Sequence, residues 1–287
     1  LLIKGVNRYD DYGRLGTTVP EKLLREELAL MKSVGINMIR VHYPQSPDLL
    51  SLYDEFGFVM MEEIPLNWWG ISFFGETLQS LDILKFAKPA LAKMIARDKN
   101  HPCVIIWSMA NECGTNTEIG ITAMRDLMRQ AKSADPTRLV TFVTSQSPNG
   151  HLAYDEADIV CVNKYNGIFS KTPCKHISDI EELGYKPLVR ELTDYRRHFT
   201  TKPLYITEFG CAGIKGIHGD VSHTEEFQSA YIERIWEGIR SVDGVSGAVL
   251  WCWADYYHRK YFITYAAFGP YGVVTTTRKT KKSFETL

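Results

Sequence analysis

Eight short apolar runs recur along the chain, each followed by a longer segment with a helical rhythm or by a polar loop. They cover residues 2–7, 38–42, 58–64, 104–109, 139–143, 159–162, 204–207 and 248–251. The runs are rich in Val and Ile and apolar on both faces, the pattern of strands covered on both sides, as in a parallel sheet. Between them, residues 21–34 set Leu23, Leu24, Leu28, Leu30 and Met31 along a helix that Gly35 stops. The helical pattern returns over 81–98, 117–133, 179–198 and 224–241. A shorter helix is predicted over 48–56, with Ser46 as its N-cap and Pro47 suited to its first position. Asp135-Pro136 and Lys202-Pro203 punctuate helix ends just before strands. Residues 145–157 are polar and predict a loop with a short helix.

Eight strands with crossovers, spread over about 250 residues, predict an α/β chain folded as one (β/α)8 barrel domain, a TIM barrel over residues 1–287. The runner-up is an open doubly wound sheet, but no G-x-G-x-x-G follows the first strand. Charge narrows the range of partners. Lys plus Arg number 33 against 34 Asp plus Glu, so there is no basic excess to hold a nucleic acid. No run of about 18 apolar residues offers a membrane span. The six cysteines form no C-x-x-C pair and lie largely in apolar runs, where thiols read as reduced, compatible with a cytoplasmic setting. The histidines show no metal spacing. The chain opens without Met and without a signal-peptide pattern, and so reads as an excised or processed segment.

In a parallel barrel, chemistry sits where the strands end. The fourth run leads into Asn111-Glu112 and the seventh into Glu208-Phe209-Gly210, each putting a carboxylate at the exit of an apolar strand. Strands four and seven face each other across the mouth of a closed barrel. Two carboxyls flanking one cavity are the minimum equipment for hydrolysing a glycosidic bond. The competing reading is that each Glu merely caps the helix that follows.

Residues 97–112, ending Trp107-Ser108-Met109-Ala110-Asn111-Glu112, resemble the acid/base signature of glycoside hydrolase family 2, the family of β-galactosidases, β-glucuronidases and β-mannosidases. Ile206-Thr207-Glu208-Phe209-Gly210 is similar to its nucleophile segment. Gly5-Val6-Asn7-Arg8, Arg40-Val41-His42-Tyr43-Pro44, residues 158–165 and Trp251-Cys252-Trp253-Ala254-Asp255 follow in the family's order. The resemblance implies a retaining exo-β-glycosidase acting on terminal β-linked sugars of glucuronide or galactoside type, through a covalent glycosyl-enzyme. It implies Glu112 as acid/base, Glu208 as nucleophile, and Asn111 as a hydrogen-bond partner of the sugar 2-hydroxyl. An acid has to keep its proton near neutrality, which the charge of a neighbouring carboxylate favours.

Other strand exits supply further candidates, each with an alternative. His42 is a sugar contact or a packed histidine. Tyr165 is a hydrogen-bond partner of the nucleophile or a rim tyrosine. Trp251 is a floor for an apolar sugar face or core. Arg40 and Asn163 also stand at strand exits, where Arg40 suits an ion pair that organises a catalytic carboxylate. Trp68 and Trp69 form a wall of the cleft or a hydrophobic lid.

Two departures from the family bear on substrate. Asn67 and Trp69 stand where magnesium-dependent β-galactosidases carry a Glu and a His, and indole offers a hard cation no oxygen, so no catalytic metal or other cofactor is expected. Gly269 and Tyr271 stand where β-glucuronidases carry the Asn and Lys of an N-x-K motif that grips the sugar carboxylate; Arg259 and Lys260 are the candidate replacements. The tail over 274–284 is similar to the stretch that leads into the family's last barrel helix, and the family's upstream β-sandwich domains have no counterpart here. A second reading is therefore a non-catalytic carbohydrate-binding or scaffold barrel. The partner expected is a β-glycoside, not nucleic acid or membrane; the sequence is silent on oligomeric state.

Overall fold

The structure is a computed structural model that describes residues 3–71, 79–148, 153–257 and 268–287. Its strands are β1 (Ile3–Asn7), β2 (Met38–Arg40), β3 (Val59–Glu63), β4 (Val104–Asn111), β5 (Leu139–Thr144), β6 (Val160–Asn163), β7 (Leu204–Phe209) and β8 (Val245–Leu250). In that order they close into a barrel. All eight predicted strands are present. β2 is shorter than predicted, leaving His42 in the loop beyond it, and β4 runs two residues further, to Asn111.

Helices α1 (Glu21–Ser33), α2 (Pro47–Phe56), α3 (Leu84–Asp98), α4 (Glu118–Ala134), α5 (Lys186–His198) and α6 (Glu225–Arg240) occupy the crossovers. Local chemistry sets their ends. Ser46 accepts the Leu49 N–H at 3.3 Å with Pro47 in the first turn, and Gly57 leaves α2 at φ +66°. Thr117 and Thr224 cap α4 and α6 in the same way. The predicted single helix over 179–198 is three pieces instead: a 3₁₀ turn (Ile177–Asp179), a π-helical turn (Ile180–Tyr185) and α5. The predicted short helix within 145–157 is absent among the described residues there, and the chain ends in a 3₁₀ turn (Lys282–Thr286). Arg259 and Lys260 lie outside the described residues. A two-stranded ribbon, β9 (Tyr256–Tyr257) with β10 (Phe268–Gly269), follows β8.

The chain divides into two compact units. The central unit is Met38–Asn163 with Asp194–Thr207; the terminal unit is Leu1–Asn37, Lys164–Thr193 and Glu208–Leu287. In the central unit, β2 to β6 pair in parallel, and Tyr205 bonds to Met38 while Arg40 donates to the Thr207 carbonyl. β2 and β7 are not neighbours in the sheet, so these contacts cross the barrel interior. Met38 with Arg40, and Tyr205 with Thr207, are i, i+2 pairs, each on one face of its strand. In the terminal unit, β1 pairs with β8 from Ile3↔Gly247 to Val6↔Leu250. All six cysteines are buried with free thiols, and burial pushes Cys113 and Cys161 up to about 12.

Candidate active site

In the central unit the strand ends carry an unusual amount of buried polarity. Arg40, Glu63, Ser108, Asn111, Asn163 and Thr207 are all at most a few per cent exposed. Buried charges persist only when paired, and the partners here are specific. Arg40 donates to Glu63 at 3.1 Å, to the Asn111 Oδ1 at 2.8 Å and to the Thr207 carbonyl. His42 Nδ1 lies 2.9 Å from the other Glu63 oxygen, and the Ser108 hydroxyl donates to Glu63 at 2.7 Å. Burial pushes the Glu63 carboxyl up, but Arg40, His42 and Ser108 outweigh it and hold it below the usual carboxylate range. Arg40 thus forms an ion pair with Glu63, a residue the sequence reading did not single out.

Asn163 Nδ2 donates to the Asn111 Oδ1 at 3.1 Å and to the Glu112 Oε1 at 2.7 Å, while its own Oδ1 accepts from Thr207 at 2.8 Å. With its oxygen held by Arg40 and Asn163, Asn111 turns its N–H2 the other way. β4 slips in register against β5 between Ser108 and Asn111, an irregularity of the kind that re-aims side chains at strand ends. Glu112 follows at φ +49°, a left-handed conformation that costs a non-glycine residue energy and tends to gather at functional positions. Its Oε2 accepts the indole N–H of Trp68 at 3.2 Å. Trp69 is half-buried, and its backbone carbonyl accepts the Gly114 N–H at 2.8 Å. Gly114 and Gly120 allow α4 to approach this loop: a Cβ on Gly120 would lie 1.9 Å from the Gly114 oxygen.

In the terminal unit Glu208 stands near the end of β7 with 5% of its surface exposed, and the Tyr165 hydroxyl donates to its Oε2 at 2.7 Å. The Lys164 N–H donates to the Glu208 carbonyl, which fixes the β6 exit beside β7. Gly210 follows at φ +145°, where a Cβ would lie 2.4 Å from the Trp251 carbonyl oxygen. The indole of Trp251 meets Tyr9 and Tyr256 edge-on, with centroids 5.6 and 5.9 Å apart. Beyond it, Lys281 and Asp255 form a buried 2.7 Å ion pair that ties the post-β8 loop to the chain end.

The central unit therefore gathers Arg40, His42, Asn111, Glu112 and Asn163 into one network, and the terminal unit brings Tyr165 to Glu208. Sequence reasoning missed Glu63, Ser108 and Thr207 as members of the network; the signal was there in a buried Arg at β2 that required a carboxylate on a neighbouring strand. Among the described residues no group of three or more His, Cys, Asp or Glu is placed to hold a metal ion, and no helix is long and apolar enough to cross a membrane.

A closed parallel barrel with polar strand exits of this kind is the ground plan of a catalytic (β/α)8 domain. The particular lineage follows from comparison. The profile of "Glycosyl hydrolases family 2, TIM barrel domain" matches residues 1–287, and the chain belongs to that family. It is 30% identical over 286 residues to a β-glucuronidase of Paenibacillus borealis, covering 97% of this chain and 47% of that one. Over 257 residues it is 27% identical to the human β-glucuronidase, covering 88% and 38%. It superposes on a β-D-glucuronidase structure from Dictyoglomus thermophilum with TM-score 0.91 and 29% identity, over 99% of this chain and 49% of that one. The chain thus spans about half the length of the relatives it matches.

Proposed function

We propose that this barrel is the catalytic domain of a retaining exo-β-glycosidase, with Glu208 as nucleophile and Glu112 as acid/base. The observation that carries the reading is the pair of carboxylates at the exits of β4 and β7: Glu112 accepts from Trp68 and Asn163, and Glu208 accepts from Tyr165.

The reaction runs in two steps. The Glu208 carboxylate attacks the anomeric carbon, the bond to the leaving oxygen breaks, and Glu112 gives that oxygen its proton. Water then attacks the glycosyl-enzyme, Glu112 takes its proton, and Glu208 is released. Asn111, its carbonyl fixed by Arg40 and Asn163, turns its amide N–H to the sugar 2-hydroxyl. His42 contacts sugar hydroxyls, and Trp251 and Trp69 offer flat walls to its apolar faces. The substrate is a β-linked terminal sugar. The names of the relatives put β-glucuronides first to be tried, with the β-galactosides of the family resemblance beside them.

A panel of nitrophenyl β-glycosides tests the reading. Turnover of at least one sugar is expected, with Glu208→Gln reducing it by about 10⁴-fold or more because the amide is a poor nucleophile. A folded protein that binds sugars but turns over none would overturn it in favour of a binding barrel.

A further inference from the structure

We propose that Trp68 selects the leaving group, making this a site for β-glycosides whose aglycone is flat and aromatic. The inference rests on the assignment of Glu112 as the acid that protonates the leaving oxygen, and it deepens that reading by naming the class of group on the far side of the bond.

Three observations meet at this residue. The indole N–H of Trp68 donates to the Glu112 Oε2 at 3.2 Å. The residue is 42% exposed. Its backbone is held at φ +55°, next to a Glu112 at +49°, so two hydrogen-bonded partners both sit in a conformation that non-glycine residues seldom adopt. Such strain persists where the surroundings over-determine it. Here they do: Trp68 N–H donates to the Asn111 carbonyl, Asn111 N–H to the Leu66 carbonyl, and Gly114 N–H to the Trp69 carbonyl, which fastens the β3 exit loop to the β4 exit. The loop is built to present this indole at this carboxylate.

The position follows from the chemistry of Glu112. A general acid must come within hydrogen-bond reach of the oxygen it protonates. A ring nitrogen 3.2 Å from the same carboxylate then lies within about 6 Å of the leaving oxygen. The aglycone starts at that oxygen, so its first ring falls beside the indole. A tryptophan offers such a ring a large apolar face at little cost in rotamer entropy.

The two oxygens of Glu112 divide the work. Oε1 faces Asn163, which is buried and tied on its other side to Thr207. Oε2 faces the exposed indole across a longer bond. When Glu112 carries its proton, Oε2 is the oxygen that gives up its donor and turns to the aglycone. Trp68 thus serves the carboxylate with its N–H and the leaving group with its ring.

Two variants separate these roles. The probes are the phenyl and methyl 1-thio-β-glycosides of the sugar the nitrophenyl panel ranks first, or of β-D-glucuronic acid if none is turned over. Thioglycosides resist hydrolysis, so calorimetry reads binding without turnover. The wild type should bind the phenyl compound roughly five- to tenfold more tightly than the methyl one, the size of an aromatic stacking term. Trp68→Ala should bring that ratio close to one while leaving the methyl glycoside within about twofold. Trp68→Phe keeps a ring and loses the N–H. It should retain most of the ratio and lower kcat severalfold on substrates with poor leaving groups.

An unchanged phenyl-to-methyl ratio in Trp68→Ala would overturn the inference. A loss of both ligands together, in a variant whose melting temperature is unaltered, would do the same. A wild type that prefers phenyl through Trp68 yet hydrolyses nothing would leave the platform standing and sink the glycosidase reading.

Discussion

Glu62 and Glu63 are chain neighbours on β3, both fully shut off from solvent, and they face opposite ways. Glu63 meets Arg40, His42 and Ser108, and these hold it ionised. Glu62 meets Gln45, Asp98 and Arg97 on the other face. There burial and the Asp98 carboxylate outweigh the Gln45 N–H and the Arg97 charge, and Glu62 is pushed up to about 8. Arg97 spends its guanidinium on Asp98, with two 2.7 Å bonds, and its approach to Glu62 is 3.9 Å. Two identical residues at the same depth are thus pushed in opposite directions. One face of β3 supports the polar network that ends in Asn111 and Glu112; the other fastens a strand to the helix layer.

The largest expected effect comes from breaking the ionised side. Glu63→Gln should destabilise the protein by about 3 kcal/mol, because it leaves the buried Arg40 charge without its counter-ion. It should also lower kcat/KM by about 100-fold, since Asn111 and His42 lose a shared anchor and small misplacements at a reacting centre are costly. Thermal melts and nitrophenyl glycoside kinetics check the two parts. A normal kcat/KM in the folded variant would mean that the network is scaffold alone.

The neutral side should respond to pH rather than to substrate. A folded-state value raised to about 8 means that native Glu62 holds a proton which the unfolded chain releases near its usual 4.5. Its contribution is therefore intact below about pH 4.5 and is lost as the pH rises through about 8. Glu62→Gln cannot ionise and escapes that loss. The variant should match the wild type near pH 5 and exceed it by about 2–4 kcal/mol at pH 9, with kcat/KM within about twofold. Denaturant midpoints at the two pH values measure this; a variant weaker at pH 9 than at pH 5 relative to wild type would reverse the assigned charge states. The smallest effect is expected of Ser108→Ala, which removes one donor to Glu63 while Arg40 and His42 remain: about 1 kcal/mol, with activity within about threefold.

The same contrast shows what a sequence can reveal. The placement of Glu112 and Glu208 at strand exits was legible because each stands at the end of a recognisable apolar run, and the barrel was legible because eight such runs alternate with helical periods. The Tyr165 contact with Glu208 and the Ser46–Pro47 start of α2 followed from local order. Glu62 and Glu63 were not separable: alternation says that they face opposite ways, but which face meets Arg40 and which meets Asp98 is decided by strands and helices far away in the chain. Nor could the pattern choose between Trp68 and Trp69, since only the left-handed backbone at Trp68 aims that indole at Glu112. The three-piece crossover before β7 was hidden for a similar reason, because α, 3₁₀ and π turns share one amphipathic rhythm.

The proposed division of labour between Glu112 and Glu208 is best tested by azide rescue of Glu112→Ala on a dinitrophenyl β-glycoside. That leaving group needs no proton, so the first step survives and the glycosyl-enzyme accumulates for want of a base. Azide needs no base and attacks it directly. The account predicts that added azide raises turnover at least tenfold, a magnitude in keeping with what general-base catalysis contributes, and that the product is the β-glycosyl azide. An α-azide, or an equal and unrescued loss on activated and unactivated substrates alike, would contradict it.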